Sequence, residues 1–293
     1  MYFTPISKSL TLASVVIVLN LIMVPLRVQA ITNGTQDTSN TYSNVGAFVV
    51  LRPDGQLNRI CSGTLISPTV FLTAAHCAHF FNDFLAPQGR TAHVSFDKTF
   101  GVFAETNLST THLIDVLQVI PNPNYVEANS NPFNPVHKSD SGDVAVLILP
   151  AGSTTGIAPA ILPTLGLLDQ LSMKNGLKGA VFTAVGYGFQ DRLVGGGLSE
   201  FGQENPVWRR FAFSTFSALK VGLLQLSINP VTGNGGDCQD DSGGPNFLWV
   251  SGTQILVATN SLGGDSVCGS TSSDYRLDIA TARDFLKDYV TLP

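Results

Sequence analysis

A chain of 293 residues with 44% hydrophobic side chains, 28 glycines and 13% charged residues can bury a full core as one large or two small domains. Its 16 basic and 21 acidic residues leave a net charge near -5 with no basic run, which excludes a phosphate-tracking nucleic-acid surface. Residues 1–30 stand apart: Lys8 precedes the apolar run Leu10–Val24, and Val28-Gln29-Ala30 places small residues where a signal peptidase cuts. A signal peptide and secretion are predicted. The apolar run is shorter than the ~20 residues that span a bilayer, and no later segment is long and apolar enough to do so, so no membrane attachment is expected after signal removal.

Short runs rich in Val, Ile, Leu, Phe and Thr then follow one another: GAFVVLRP (Gly46–Pro53), VFLTAAH (Val70–His76), DVAVLILP (Asp143–Pro150), AVFTAVGYG (Ala180–Gly188) and QILVATNS (Gln254–Ser261). Gly, Pro, Asn and Asp clusters separate them, the pattern of an all-β sandwich or barrel. PAGSTTGIAPAILP (Pro150–Pro163) is poor in charge and reads as a linker, dividing the chain into an N-terminal unit (31–155) and a C-terminal unit (156–293). Asn122–Asp140 and Leu193–Pro206 read as long surface loops. Only Ile279–Val290 reads as a helix, with Ile279, Ala282, Phe285, Leu286 and Val290 forming an apolar stripe.

Export makes Cys61, Cys77, Cys238 and Cys268 candidates for two disulfides, for which three pairings exist. Joining Cys61 to Cys77 is the economical choice, closing a loop of roughly fifteen residues worth about 3 kcal/mol. No Cys-x-x-Cys occurs, and neither a metal nor a cofactor is expected.

GDCQDDSGGP (Gly236–Pro245) holds a serine in a turn rich in glycine. A serine hydroxyl is a weak nucleophile until a positioned base takes its proton, and the base in turn needs an acid to fix its tautomer. His76, beside Cys77 at the end of a strand-like run, is the best-placed of five histidines; His79, His93, His112 and His137 read as surface or structural. Asp143 enters an apolar strand, where a carboxylate is costly unless partnered, whereas Asp140 falls in a polar loop and reads as solvated.

SGTLISPTVFLTAAHC (Ser62–Cys77), GDVAVLILP (Gly142–Pro150) and CQDDSGGP (Cys238–Pro245) resemble the three signature blocks of the chymotrypsin/trypsin-like serine protease family, in that family's order. The resemblance runs from Ile31 to the C-terminal helix. It implies two six-stranded antiparallel β-barrels followed by a C-terminal α-helix, with the active site in the cleft between the barrels. It further implies that Cys61 pairs with Cys77 and Cys238 with Cys268. The activity implied is endopeptidase hydrolysis of peptide or protein substrates, with protein protease inhibitors as further partners.

Carried over by residue, the resemblance makes His76 the general base and acid, Asp143 its orienting acid and Ser242 the nucleophile. The backbone N–H groups of Asp240 and Ser242 form the oxyanion hole. Asp241 pairs with the amino group of a new N-terminal Ile31, which ITNG (Ile31–Gly34) places directly after the predicted signal cleavage site. The specificity pocket has Gly236 at its base, with Ser261, Leu262, Gly263 and Ser273 as walls. An uncharged base predicts cleavage after apolar or aromatic residues; Asp237, one residue along, keeps cleavage after basic residues as the alternative. A secreted protease-like binding protein without activity is the rival outside catalysis. Asp240 stands where the family has glycine, and its carboxylate is expected to point into water.

Overall fold

The computed structural model describes residues 31–101, 111–127, 140–188, 206–263 and 268–293. The expected signal peptide, with its cleavage signal, and most of the two expected long loops lie outside the described residues, as does His137. The strands are β1 (Thr35–Gln36), β2 (Val45–Leu51), β3 (Leu57–Ser67), β4 (Val70–Thr73), β5 (Thr91–Ser95), β6 (Thr99–Phe100), β7 (Ile114–Asp115), β8 (Gln118–Pro121) and β9 (Ala145–Ile148). The second half adds β10 (Val181–Gly186), β11 (Val207–Trp208), β12 (Arg210–Leu219), β13 (Leu223–Ser227), β14 (Pro245–Val250), β15 (Thr253–Gly263) and β16 (Thr271–Arg276). Three short helices join them: α1 (Ala75–His79), α2 (Leu167–Met173) and α3 (Ala280–Leu286).

Two antiparallel sheets carry the fold. The second runs β1-β12-β10-β14-β15-β16-β13, and an added β12–β13 pairing closes six of these strands into a barrel. The first runs β7-β5-β2-β3-β4-β9-β8 and curls as a half-barrel; among the described residues no pairing closes it. The mostly β architecture with a C-terminal helix agrees with expectation, but the first sheet differs from a closed six-stranded barrel. β1 lies far from its sequence neighbours, pairing Thr35 with Phe211 in the second sheet.

Alternation along β2 explains why its sequence is apolar throughout. Phe48 and Val50 point into the first sheet's core with Leu65, Phe71, Val94 and Leu147. Val45, Ala47 and Val49 face the other way, packing with Leu72, Val146, Val185, Phe247, Leu256 and Phe285 in a cluster that joins the two sheets. A strand buried on both faces reads as a continuous apolar run. Burial of each large side chain contributes roughly 1.5–3 kcal/mol, so this shared cluster fixes the relative seat of the two sheets. α3 is shorter than the expected 279–290 segment, but Ala282, Phe285 and Leu286 are buried as its stripe requires. α2 was not legible in the sequence; its backbone is anchored by Asp278, which accepts the Leu168 N–H at 2.8 Å.

A buried polar hub reinforces the junction. Arg209, fully buried, donates from Nε to Asp37 at 2.9 Å and from Nη1 to the Val45 and Phe96 carbonyls and the Tyr187 hydroxyl. Tyr187 in turn donates to the Asp97 carbonyl at 2.8 Å. A buried guanidinium is tolerated only when its donors are matched in this way.

Candidate active site

β4 ends beside the site, and Ala74 turns the chain from extended backbone into α1, so His76 stands in a helical first turn rather than at a strand end. Cys77, next along, is bonded to Cys61 on β3, with Cα atoms 6.3 Å apart. Cys61, His76 and Cys77 lie within reach of one another, but both sulfurs are committed to the disulfide. Asp143, leading into β9, accepts the His76 backbone N–H on Oδ1 at 3.0 Å and approaches His76 Nδ1 with Oδ2 at 2.9 Å. Ser261 donates its hydroxyl to the same Oδ2 at 2.5 Å.

With Nδ1 directed at the carboxylate, the assigned tautomer leaves Nε2 as the acceptor. Burial disfavours the imidazolium, but the charge and hydrogen bond of Asp143, with Glu127 adding to them, hold the His76 pKa above its ordinary value. Burial of Asp143 works against its ionisation; His76 and the three hydrogen bonds outweigh this and hold its carboxyl below the ordinary value. The remaining described histidines sit on other acids: His79 on Asp83, His93 on Asp115 and His112 on Asp97. Asp140 is not simply solvated, since it accepts the hydroxyls of Tyr275 and Thr281.

The Ser242 turn is fixed from several sides. Cys238 is bonded to Cys268, with Cα atoms 5.3 Å apart. Ser62 on β3 donates its N–H to the Ser242 carbonyl at 2.9 Å, and Gly243 donates to the Asn260 carbonyl at 2.8 Å. Gly243 has φ +81°, and a Cβ there would meet Thr73 Oγ1 at 2.1 Å. Only glycine fits. That close approach seats the residue after Ser242 against a residue three before His76.

Asp241 N–H goes to the Cys238 carbonyl and Gly244 N–H to the Asp241 carbonyl. Among the described residues, the N–H groups of Asp240 and Ser242 meet no protein acceptor. Asp240 takes φ +64° at the position expected to favour glycine, and Asp is among the residues that tolerate this region. Its carboxylate does not simply point into water as expected: Oδ2 receives Arg59 Nη2 from β3 at 2.9 Å.

Asp241 is fully buried and accepts N–H groups from Gly188 at 2.7 Å and Cys238 at 3.0 Å. Burial pushes its carboxyl up to about 8. Ile31 is also fully buried, packed on Ala184 and Ala212, while Thr32 bridges to Gly236 and donates its hydroxyl to the Cys268 carbonyl. Ala184 precedes Gly186 by two residues on β10, and a Cβ on Gly186 would meet the Asp241 carboxyl at 2.2 Å.

The expected pocket residues separate. Gly236 turns its Cα toward Ile228, where a Cβ would clash at 2.2 Å, so packing of the turn explains the missing side chain. Ser261 serves Asp143, and Ser273 accepts a hydrogen bond from Gln225 on the neighbouring strand. Leu262 lines a cavity of about 200 Å³ with His76, Tyr125, Glu127, Ser141, Asp143 and Ser261. Gly263 pairs through its backbone with Ser272.

Asp237 is buried, and the unanticipated Asp274 joins it. Ser272 donates to Asp274 Oδ2 at 3.0 Å, and each acid keeps one oxygen, Oδ1, without a hydrogen-bond partner among the described residues. Burial raises both carboxyl pKa values; for Asp274 the charge of Asp237 adds to the rise. Ser272 and Asp274 face the buried side of β16, and Ser273 the other. The period of two would have found this pair had the strand's inward face been known. Arg59 had no local signal.

A family model described as Trypsin matches residues 33–285. Vitamin K-dependent protein C of Rattus norvegicus is 28% identical over 222 residues, covering 72% of this chain and 42% of that protein. Its counterpart in Mus musculus is 26% identical over 244 residues, covering 75% and 44%. The chain spans less than half the length of these curated relatives.

Proposed function

Because the chain belongs to the trypsin family, we propose that it is a secreted serine endopeptidase using Ser242, His76 and Asp143. What supports this reading is the hydrogen-bonded Asp143–His76 pair, with His76 in α1 directly after β4, together with a Ser242 turn held against β4 through Gly243 and Thr73. His76 Nε2 takes the Ser242 proton as Oγ adds to the scissile carbonyl carbon. The resulting oxyanion receives the N–H groups of Asp240 and Ser242. His76 then returns the proton to the leaving amine, giving an acyl-enzyme. Water adds to that ester with His76 again as base, and the acid product leaves with Ser242 reprotonated. A triad complete in all three side chains favours an enzyme over a binding protein without activity.

Asp237 and Asp274 bear on the residue accepted before the scissile bond. Two buried carboxyls with unmatched oxygens favour a cationic side chain. Lys or Arg before the scissile bond is therefore favoured over uncharged residues. Release before Ile31, with its amine meeting Asp241, belongs to the same proposal; the full burial of both Ile31 and Asp241 supports it. Protein or peptide substrates follow from the family, and protein inhibitors would occupy the same cleft. Among the described residues, no helix is long and apolar enough to cross a membrane.

The test is turnover of peptide p-nitroanilides carrying Arg, Lys, Phe, Leu or Ala before the scissile bond, with phosphonate labelling of Ser242. Arg and Lys are expected to lead by roughly a hundredfold, the 1.5–3 kcal/mol of a charged hydrogen bond. Preference for Phe or Leu overturns the basic specificity, and labelling that persists in His76→Ala overturns the triad.

A further inference from the structure

An acid at position 240 poses an electrostatic problem. The oxyanion hole works by presenting positive dipoles to a developing negative charge, and Asp240 supplies one of them through its N–H. Its own carboxylate carbon lies only three bonds from that nitrogen, on the same residue. A carboxylate left at ~6 Å from the oxyanion would slow the reaction by roughly a hundredfold at an effective dielectric of 20.

Arg59 answers this geometrically. It reaches out of β3, its side chain 5% exposed, and its Nη2 holds Asp240 Oδ2 at 2.9 Å. Its Nη1 faces the carbonyls of Tyr187 and Gly188, at 3.3 Å for Gly188. Gly188 donates its N–H to Asp241, the next residue of the turn. One guanidinium thus ties β3, the end of β10 and the turn that carries Ser242. A bulge aims it: β2 residues Phe48 and Val49 oppose Cys61 and Arg59, leaving Ile60 as an extra residue on β3. Bulges re-aim side chains in this way beside functional sites.

We propose that Arg59 is a positioning residue for the oxyanion hole, holding the Asp240 carboxylate away from the reacting oxygen and keeping the Asp240 N–H turned toward it. The proposal rests on the serine-peptidase reading and adds the device that makes an acid compatible with the hole. The buried, carbonyl-anchored guanidinium is the fixed partner; the Asp240 side chain, 31% exposed, is the movable one.

The test is a double-mutant cycle on the secreted enzyme with Arg59→Met, Asp240→Gly and both together. It reads kcat, KM and the affinity of a peptide boronate whose tetrahedral adduct places an oxygen in the hole. Arg59→Met is expected to lower kcat and boronate affinity by roughly a hundredfold with KM within about twofold. In the Asp240→Gly background the same change should lower neither, because no carboxylate remains to swing. If Arg59→Met does not fold, Arg59→Gln keeps a donor for the carbonyls, lacks the charge, and should show the same loss and the same rescue. A loss that persists in the Asp240→Gly background overturns the proposal, as does an Arg59→Met variant within twofold of wild type. An inert wild type with Ser242 unlabelled overturns the serine-peptidase reading and this inference with it, whereas an active wild type without the rescue overturns the Arg59 assignment alone.

Discussion

A single oxygen of Asp143, Oδ2, meets both the His76 ring nitrogen at 2.9 Å and the Ser261 hydroxyl at 2.5 Å. The Ser261 bond withdraws charge from the carboxylate that steadies the imidazolium. His76 must be neutral to accept the Ser242 proton, so activity falls as pH drops through its raised pKa. The acid limb of kcat/KM is therefore expected above the ordinary histidine value near 6.5. Ser261→Ala should move that limb further up and lower kcat by roughly tenfold, about 1.4 kcal/mol. A pH–rate profile of both forms checks this; an unmoved limb contradicts it.

The proposed pairing of Asp241 with a free Ile31 amine ties processing to stability. While Ile31 remains joined to Ala30, the buried Asp241 carboxyl has an ordinary value of 3.8 raised to about 8. The folded state then keeps a proton that the unfolded state releases, so stability is greatest below about 4 and declines as pH rises toward about 8. An Ile31 ammonium beside it reverses the shift and removes the decline. Thermal scans of the unprocessed chain should show a Tm that falls between pH 5 and 8, and Asp241→Asn should abolish the fall. Equal slopes for the unprocessed chain and the form beginning at Ile31 would count against the pairing.

At the Asp237–Asp274 pair, substrate recognition and stability should oppose each other. Asp274→Asn removes a buried carboxyl whose proton the folded state must retain, along with its coupling to Asp237, and is expected to raise Tm at neutral pH. The same change should reduce the Arg-over-Phe ratio in kcat/KM by tenfold or more, roughly 1.4 kcal/mol. A more stable variant with its ratio intact would place the acid pair outside the recognition site.

The Arg209–Asp37 pair is a stability element. Both side chains are almost completely buried, at 0% and 1% exposure, so Arg209→Met strands an unpaired carboxylate. Urea denaturation should show a loss of about 3–5 kcal/mol. Adding Asp37→Asn should recover part of it, while Asp37→Asn alone costs less than Arg209→Met.

The proposed catalytic residues each sit in a short block whose neighbours have local roles that the structure shows: Cys77 disulfide-bonded beside His76, the apolar strand after Asp143, and Gly243 packed beside Ser242. The cysteine pairs that the family resemblance implied are present. Asp274 was not legible as part of a buried acid pair because adjacent residues on a strand face opposite ways: Ser273 lies on one face of β16, and Ser272 and Asp274 lie on the other. Arg59 could not be read at all: its partner lies 181 residues away, and a bulge sets its direction. α2 escaped notice because its seven residues bury only Leu168, too little for an apolar stripe.

The passage of β1 into the second sheet also bears on the order of events during synthesis. Thr35 and Gln36 pair with Phe211 and Arg210, about 175 residues further on. At the ~5–20 residues per second of translation, roughly ten to 35 seconds separate the strand from its partner. The first sheet can gather its own strands in that interval, whereas Ile31 and the strand beside it must wait. The first of the described residues to be made are among the last to find their seat.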